Sequence, residues 1–255
     1  MRRPGVPHPP AVGRPRLTHY DGVPGAHVLA ASFDELAASV QATVGLAITA
    51  PGQSEVYALG RWSTGVAWST AKVPLAIAAL RADRVRAEPL VAKAITESDN
   101  PASEHLWSLL GEPACAAGRV QAVIAQAGDA STVVEARRLR PGYTAIGQTQ
   151  WSLALQARFA ANLSDIPEAA PVIELMHRIM PEQRWGLAAK GVAAKGGWGP
   201  GVGGGYLTRQ FGIVPVPTGH LGVALAADAR TFEAGVAVLN QLVDWLFGHL
   251  AELPH

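Results

Sequence analysis

The chain has 255 residues, 49% hydrophobic and 16% charged, which is ample apolar material for a real core and excludes a largely disordered chain. Lys and Arg total 21 against 20 Asp and Glu, so a net charge of +1 supplies no long-range field for nucleic acid or anionic lipid, and a small or neutral partner fits better. Cys115 is the single cysteine, which excludes an internal disulfide and a multi-cysteine metal centre, and the eight histidines show no ligand spacing, so neither a metal nor a cofactor is expected.

Residues 1–31 are rich in Pro, Gly and Arg and read as a poorly ordered tail. The N-terminus carries positive charge without the apolar h-region of a secretory signal. No stretch approaches the ~20 apolar residues that span a bilayer, so no integral membrane segment is expected. Ser32 and Glu35 form a capping box, and Phe33, Leu36, Ala37 and Val40 recur at helical spacing, which predicts a helix over Phe33–Ala42. "VGLAITA" (Val44–Ala50) and "EVYALG" (Glu55–Gly60) read as two strands joined by the turn "PGQ". Helical periodicity then dominates: Lys72–Ala82, Ala87–Thr96, Ala102–Leu110, Arg119–Ala127, Thr149–Leu163 and Pro171–Met180. Three further strands follow, "AAKGGW", "YLTRQFGIVPV" and "HLGVALAAD", joined by the glycine-rich turn "GPGVGGG" and by "PTG", and an amphipathic helix over Thr231–Leu250 closes the chain. The simplest packing is α+β: a five-stranded antiparallel sheet flanked by the N- and C-terminal helices, with an inserted all-helical lobe. Residues 32–68 and 186–255 would build the α/β lobe and 69–185 the helical lobe, with a site in the cleft between them.

Three short motifs carry possible chemistry. In "WSTAKVPLAIAAL", Ser69 precedes Lys72 by three residues, one turn of helix, which brings an amine toward a hydroxyl that needs a base to become a nucleophile. The competing reading makes Ser69 or Thr70 a helix cap. "ITESDNPASEHLW" sets Ser98, Asp99 and Asn100 before Pro101, again either a cap or a polar cluster. "AAKGGWGP" puts Lys195, Gly196 and Gly197 on a strand where glycines allow close approach to the backbone. Each is weak alone; the three in this order are hard to obtain by accident.

With these motifs the chain resembles the serine β-lactamase and penicillin-binding protein superfamily, whose motifs are Ser-x-x-Lys, Ser-Asp-Asn and Lys-Thr-Gly. It is most similar to class A β-lactamase-related serine hydrolases. The resemblance extends from about Ser32 to the C-terminus and includes "QTQWSLALQARFAANL" and "KGGWGPGVGGGYLTRQFGIV". It implies a monomer outside the cytoplasm that acts on a β-lactam or a cell-wall peptide through a covalent acyl-enzyme. In that scheme Ser69 attacks, Lys72 takes its proton, Ser98 passes a proton to the leaving nitrogen, Asn100 orients substrate, and Lys195 binds its carboxylate. The N–H groups of Ser69 and Trp198, beside Gly197, would form the oxyanion hole. D-alanyl-D-alanine peptidases and esterases share the scaffold, and a peptidoglycan-binding module without turnover is the alternative from another class.

Departures from the family pattern leave three points open. Gly196 replaces the threonine of the third motif. Arg209, on the neighbouring strand, either restores a positive charge to the site or faces solvent. Glu135 lies where the family carries its water-activating glutamate, but Leu139 stands in place of the expected asparagine, and three arginines nearby allow a surface ion pair instead.

Overall fold

The computed structural model describes residues 16–17, 26–201 and 204–253, so most of the tail 1–31 lies outside the described residues. Within it, Arg16–Leu17 forms strand β1, and helix α1 spans Ala26–Ser39, beginning earlier than the capping box implies. Leu29 and Phe33, four residues apart on one helix face, are both buried, so the apolar stripe continues N-terminally past Ser32. Ser32 sits inside the helix, where its Oγ accepts a hydrogen bond from Trp245 Nε1 at 2.9 Å.

Strands β2 (Thr43–Thr49), β3 (Glu55–Gly60), β6 (Ala193–Pro200), β7 (Tyr206–Val216) and β8 (Gly219–Ala229) form an antiparallel sheet. Its order is β3-β2-β8-β7-β6, and the two-residue β1 adds to β3 in parallel at one edge. Both faces are covered, which is why β2 reads as a continuous apolar run and not as an alternation. On one face Leu46, Ile48, Val223 and Leu225 pack with α1 and the C-terminal helix α8 (Phe232–Gly248). On the other, Ala47, Ala224 and Ala226 join the core of the intervening helices.

Those helices are α2 (Lys72–Ala82), α3 (Arg84–Thr96), α4 (Asn100–Leu109), α5 (Pro113–Gln126), α6 (Leu153–Ala161) and α7 (Ala170–His177). The helix expected from Thr149 begins only at Leu153. Gln150–Ser152 instead forms strand β5, paired with β4 (Thr64–Val66), and Ser152 caps α6 by accepting from Leu155 N–H. Helix α6 then lies directly on the sheet: a Cβ at Gly222 would come within 2.1 Å of Ala157 O and 2.2 Å of Ala161 N, so only glycine permits this approach. Helix α6, residues 153–161 of the 69–185 stretch, thus lies against the sheet. Among the described residues no helix is long and apolar enough to cross a membrane.

A long irregular loop joins α5 to β5, and polar groups pin it along its length. Asp129, buried, accepts from Thr132 N–H at 2.9 Å, Thr132 Oγ1 at 2.5 Å and Trp151 Nε1 at 2.9 Å. Glu135 N–H donates to Thr149 Oγ1 at 3.0 Å, and Arg140 N–H to the buried Gln148 Oε1 at 2.5 Å. A loop of this length, held in a fixed shape, is the kind that carries function.

Candidate active site

Ser69 lies in a 3-10 turn, Trp68–Ala71, that runs into α2. Neither Ser69 nor Thr70 caps α2, whose N-cap is Ala71 without a side-chain bond. Thr70 Oγ1 donates to Ala67 O at 2.5 Å and accepts from Gln156 Nε2 at 2.9 Å, which fixes the turn from beneath. Trp68 holds a left-handed φ of 50°, a strained conformation for a bulky residue.

At the second motif Asp99 is the cap, accepting from Ala102 N–H at 2.5 Å, and Pro101 stands in the first turn of α4. The cap reading and the polar-cluster reading are therefore both realised, by different residues. With Asp99 occupied in capping, Ser98 (φ 56°) and Asn100 turn toward the same cleft as Ser69. This cleft, ≈ 180 Å³, is lined by Ser69, Ser98, Asn100 and Trp198, together with an aromatic wall of Trp68, Tyr143 and Tyr206.

Behind it stand the two lysines. Lys72 Nζ donates to Ser98 O, to Ser98 Oγ at 3.3 Å and to Asn100 Oδ1 at 2.8 Å. Lys195 Nζ donates to Ser98 Oγ at 2.9 Å and to Gly196 O at 3.1 Å. Burial lowers the Lys72 pKa to about 7, against an upward pull from the Asp99 carboxylate. Lys195 is pushed well below the ordinary lysine range, first by burial and second by the neighbouring Lys72 charge. An amine that is neutral near pH 7 has a lone pair, so the Ser98 hydroxyl can donate to it as well as accept.

The third motif is shaped by what its glycines exclude. Strand β6 is a sheet edge, so some of its backbone N–H groups face outward. A Cβ at Gly197 would lie 2.8 Å from Ser69 N, so the missing side chain lets β6 press against the nucleophile turn. A Cβ at Gly196 would lie 2.6 Å from the Trp185 ring. Trp185, buried edge-on to Trp198 at 6.2 Å, thus fills space beside the position of the family's threonine.

Arg209 is a correction to both sequence readings. It pairs with Gly197 across β6 and β7 but neither faces solvent nor lines the cleft. Its guanidinium is buried and donates to Gly65 O (2.9 Å), Val66 O (3.1 Å), Trp151 O (3.1 Å) and Gln156 Oε1 (2.8 Å), above the Trp62 ring. Carbonyls exposed by the short β4–β5 pair need donors, and the arginine satisfies them. Glu135 does not line the cleft; its carboxylate accepts from Arg137 N–H at 2.8 Å and Arg137 Nε at 3.2 Å, bonds that hold its pKa below the usual value. Glu104, one turn beyond Asn100, lines a separate ≈ 300 Å³ cavity and pairs with Arg138 at 2.5 Å.

Sequence reasoning missed Trp68, Tyr143, Thr144, Gly147, Gly199 and Tyr206, which complete the cleft. The adjacency of Trp68 to Ser69 and of Gly199 to Trp198 was visible, whereas nothing local marks Tyr143 or Thr144.

No family model matches the chain, and no curated protein sequence matches it. Solved structures do. PBP-A is similar with a TM-score of 0.68 and 19% identity over 89% of this chain and 97% of that one. A variant of PBP-A, held as its acyl-enzyme complex with penicillin G, gives 0.66 and 18% over 89% and 97%. A class A β-lactamase from Bacteroides cellulosilyticus gives 0.71 and 15% over 91% and 100%. The likeness spans nearly the whole of each molecule, and the chain therefore has the fold of the serine β-lactamase and penicillin-binding protein superfamily.

Proposed function

We propose that the protein is a serine hydrolase that opens a cyclic amide, a β-lactam, through a covalent acyl-enzyme. The observation that carries this reading is the meeting of both lysine amines on Ser98 Oγ, directly behind a cleft that Ser69 lines. Ser69 Oγ adds to the carbonyl carbon while Lys72, whose pKa burial lowers to about 7, takes its proton in its neutral form. The N–H groups of Ser69 and Trp198 stabilise the oxyanion, at about 3 kcal/mol per donor when preorganised. As the C–N bond breaks, Ser98 gives its proton to the leaving nitrogen and regains one from Lys72. Water then cleaves the ester and restores Ser69.

A second reading, a penicillin-binding peptidase or esterase that stays acylated, is favoured by one specific feature. Among the described residues no acidic side chain lines the cleft, and both nearby glutamates, Glu104 and Glu135, are held by arginines. Incubation with a fluorescent penicillin and a chromogenic cephalosporin, beside Ser69→Ala, separates the outcomes. Rapid Ser69-dependent turnover supports the lactamase, and persistent Ser69-dependent labelling supports the peptidase. An absence of both would overturn acyl transfer to β-lactams and leave a binding module.

A further inference from the structure

The loop between α5 and β5 carries three arginines with different surroundings. Arg137 pairs with Glu135 and Arg138 with Glu104. Arg140 has no carboxylate within ion-pair distance: the ion pairs among the described residues engage Arg84, Arg86, Arg137, Arg138, Arg178 and Lys190. Its Nη1 donates to Pro200 O at 3.0 Å, and its guanidinium lies 5.8 Å from the centre of the Trp68 ring. One neighbour lines the cleft and the other is the next residue along the chain from one that does. Trp68 lines the cleft, Pro200 follows the lining Gly199, and Tyr143 packs on Trp68 at 5.0 Å.

We infer that Arg140 is an anion-recognising residue at the acyl end of the cleft, selecting acyl donors that carry a carboxylate next to an aromatic or otherwise flat group. This rests on the acyl-transfer reading above and adds to it a substrate class and a specificity-determining residue. The position of Arg140 along β6 identifies the end. Lys195 and Ser98, which serve the leaving group, stand at one end of this strand segment, and Pro200 is five residues on, roughly 16 Å at the usual strand rise. The carbonyl under attack lies between them, beside Trp198, so Arg140 faces the part of the substrate that remains on Ser69. A guanidinium presents five N–H donors in a planar fork suited to carboxylate, and one of the five is occupied by Pro200. The cation–π contact with Trp68, the bond to Pro200 O and the bond from the Arg140 backbone N–H to buried Gln148 hold that fork in place before substrate arrives. At the opposite end, Lys195 is buried against Ser98 and Gly196, so the two ends of the cleft differ in kind.

The test compares two penicillins that differ only in the side chain, benzyl and α-carboxybenzyl, in wild type, Arg140→Gln and Arg140→Lys. The second-order rate of Ser69 acylation is followed by intact mass. Wild type is expected to prefer the carboxylated donor by about tenfold or more, as a charge-assisted bond allows. Arg140→Gln, which can still donate to Pro200 O, is expected to erase the preference while keeping the benzyl rate within about twofold, and Arg140→Lys to retain part of it. Equal wild-type rates, or an Arg140→Gln loss of the same size on both donors, would show a mere strap and overturn the inference. If neither penicillin acylates Ser69, the acyl-transfer reading fails separately. Calorimetric titration with phenylmalonate against phenylacetamide then decides: Arg140-dependent binding of the anion alone upholds the site, and no difference overturns it.

Discussion

Lys72 and Lys195 meet on one oxygen, with Nζ atoms 3.3 and 2.9 Å from Ser98 Oγ. Two buried ammonium groups on a single hydroxyl repel, and burial alone disfavours each charge, so at neutral pH at least one amine is neutral. If Lys72 is the base, the acylation rate is expected to rise about tenfold per pH unit below pH 7 and to level off above it. The sign follows from the direction of the shift. The folded chain releases this proton near 7 and the unfolded chain near 10.5, so Lys72 makes folding more favourable as pH rises through that window. Stopped-flow acylation profiles check the first expectation, and denaturation across the window, flattened by Lys72→Met, checks the second. A rate independent of pH from about 5 to 9 removes Lys72 from proton transfer.

Gly197 is a contact position more than a flexible one. Gly197→Ala sets a methyl 2.8 Å from Ser69 N, so either β6 or the nucleophile turn must move. The expected result is a folded protein, destabilised by about 1–3 kcal/mol, whose acylation rate falls about 100-fold as the oxyanion donors separate. Wild-type acylation in a variant with an unchanged melting temperature would show that the contact is slack.

Trp185 and Gly196 form a size-matched pair. Gly196→Thr is expected to destabilise the fold by about 1–3 kcal/mol because the new Cβ meets the indole at 2.6 Å. Trp185→Ala alone opens a cavity and costs about 3–5 kcal/mol. Combined, the two changes should sum to less than the separate losses, and a double-mutant cycle in urea measures that coupling. Strict additivity would mean that the ring and the missing side chain do not compete for one space.

Arg209 acts through the fold. Arg209→Met removes the buried donor to the carbonyls of Gly65, Val66 and Trp151 and to Gln156 Oε1, and is expected to destabilise by about 3–5 kcal/mol. Arg209→Lys should rescue little, because one ammonium cannot span the same set of acceptors. Thermal melts check this, and a stable but inactive Arg209→Met would return the residue to the site.

Glu135→Gln is expected to leave acyl-enzyme lifetime unchanged, since Arg137 occupies the carboxylate and the side chain does not line the cleft. The lifetime is read by mass spectrometry after a single turnover. A trapped acyl-enzyme in this variant would identify Glu135 as the base for water.

Much of the architecture is legible in local chemistry. The bounds of α2, β3 and β7 coincide with the expected ones because each is delimited by local backbone preferences: the helix-forming run after Ala71, the turn at Gly52 with its positive φ, and the Pro217–Thr218 turn before Gly219. The strand β5 was illegible, since "QWS" pairs only because β4 lies beside it, and nothing within three residues announces a partner some 85 positions away. The N-terminus of α1 is misplaced by local pattern for the converse reason: Ser32 and Glu35 have the spacing of a capping box, while Trp245 of α8 takes the Ser32 hydroxyl from the far end of the chain.

The sequence by itself determined which groups are available for chemistry: a serine and a lysine one turn apart, a second serine beside an asparagine, and a lysine before two glycines, because these spacings lie within single elements. Tertiary structure alone decided which of the remaining charges reach the cleft. Arg209 went under the β4–β5 pair, Glu135 went to Arg137, and Arg140 came to lie over Trp68, whose ring lines the cleft. A charged side chain goes where unsatisfied acceptors, donors or aromatic faces converge, and that convergence comes from distant segments folded together.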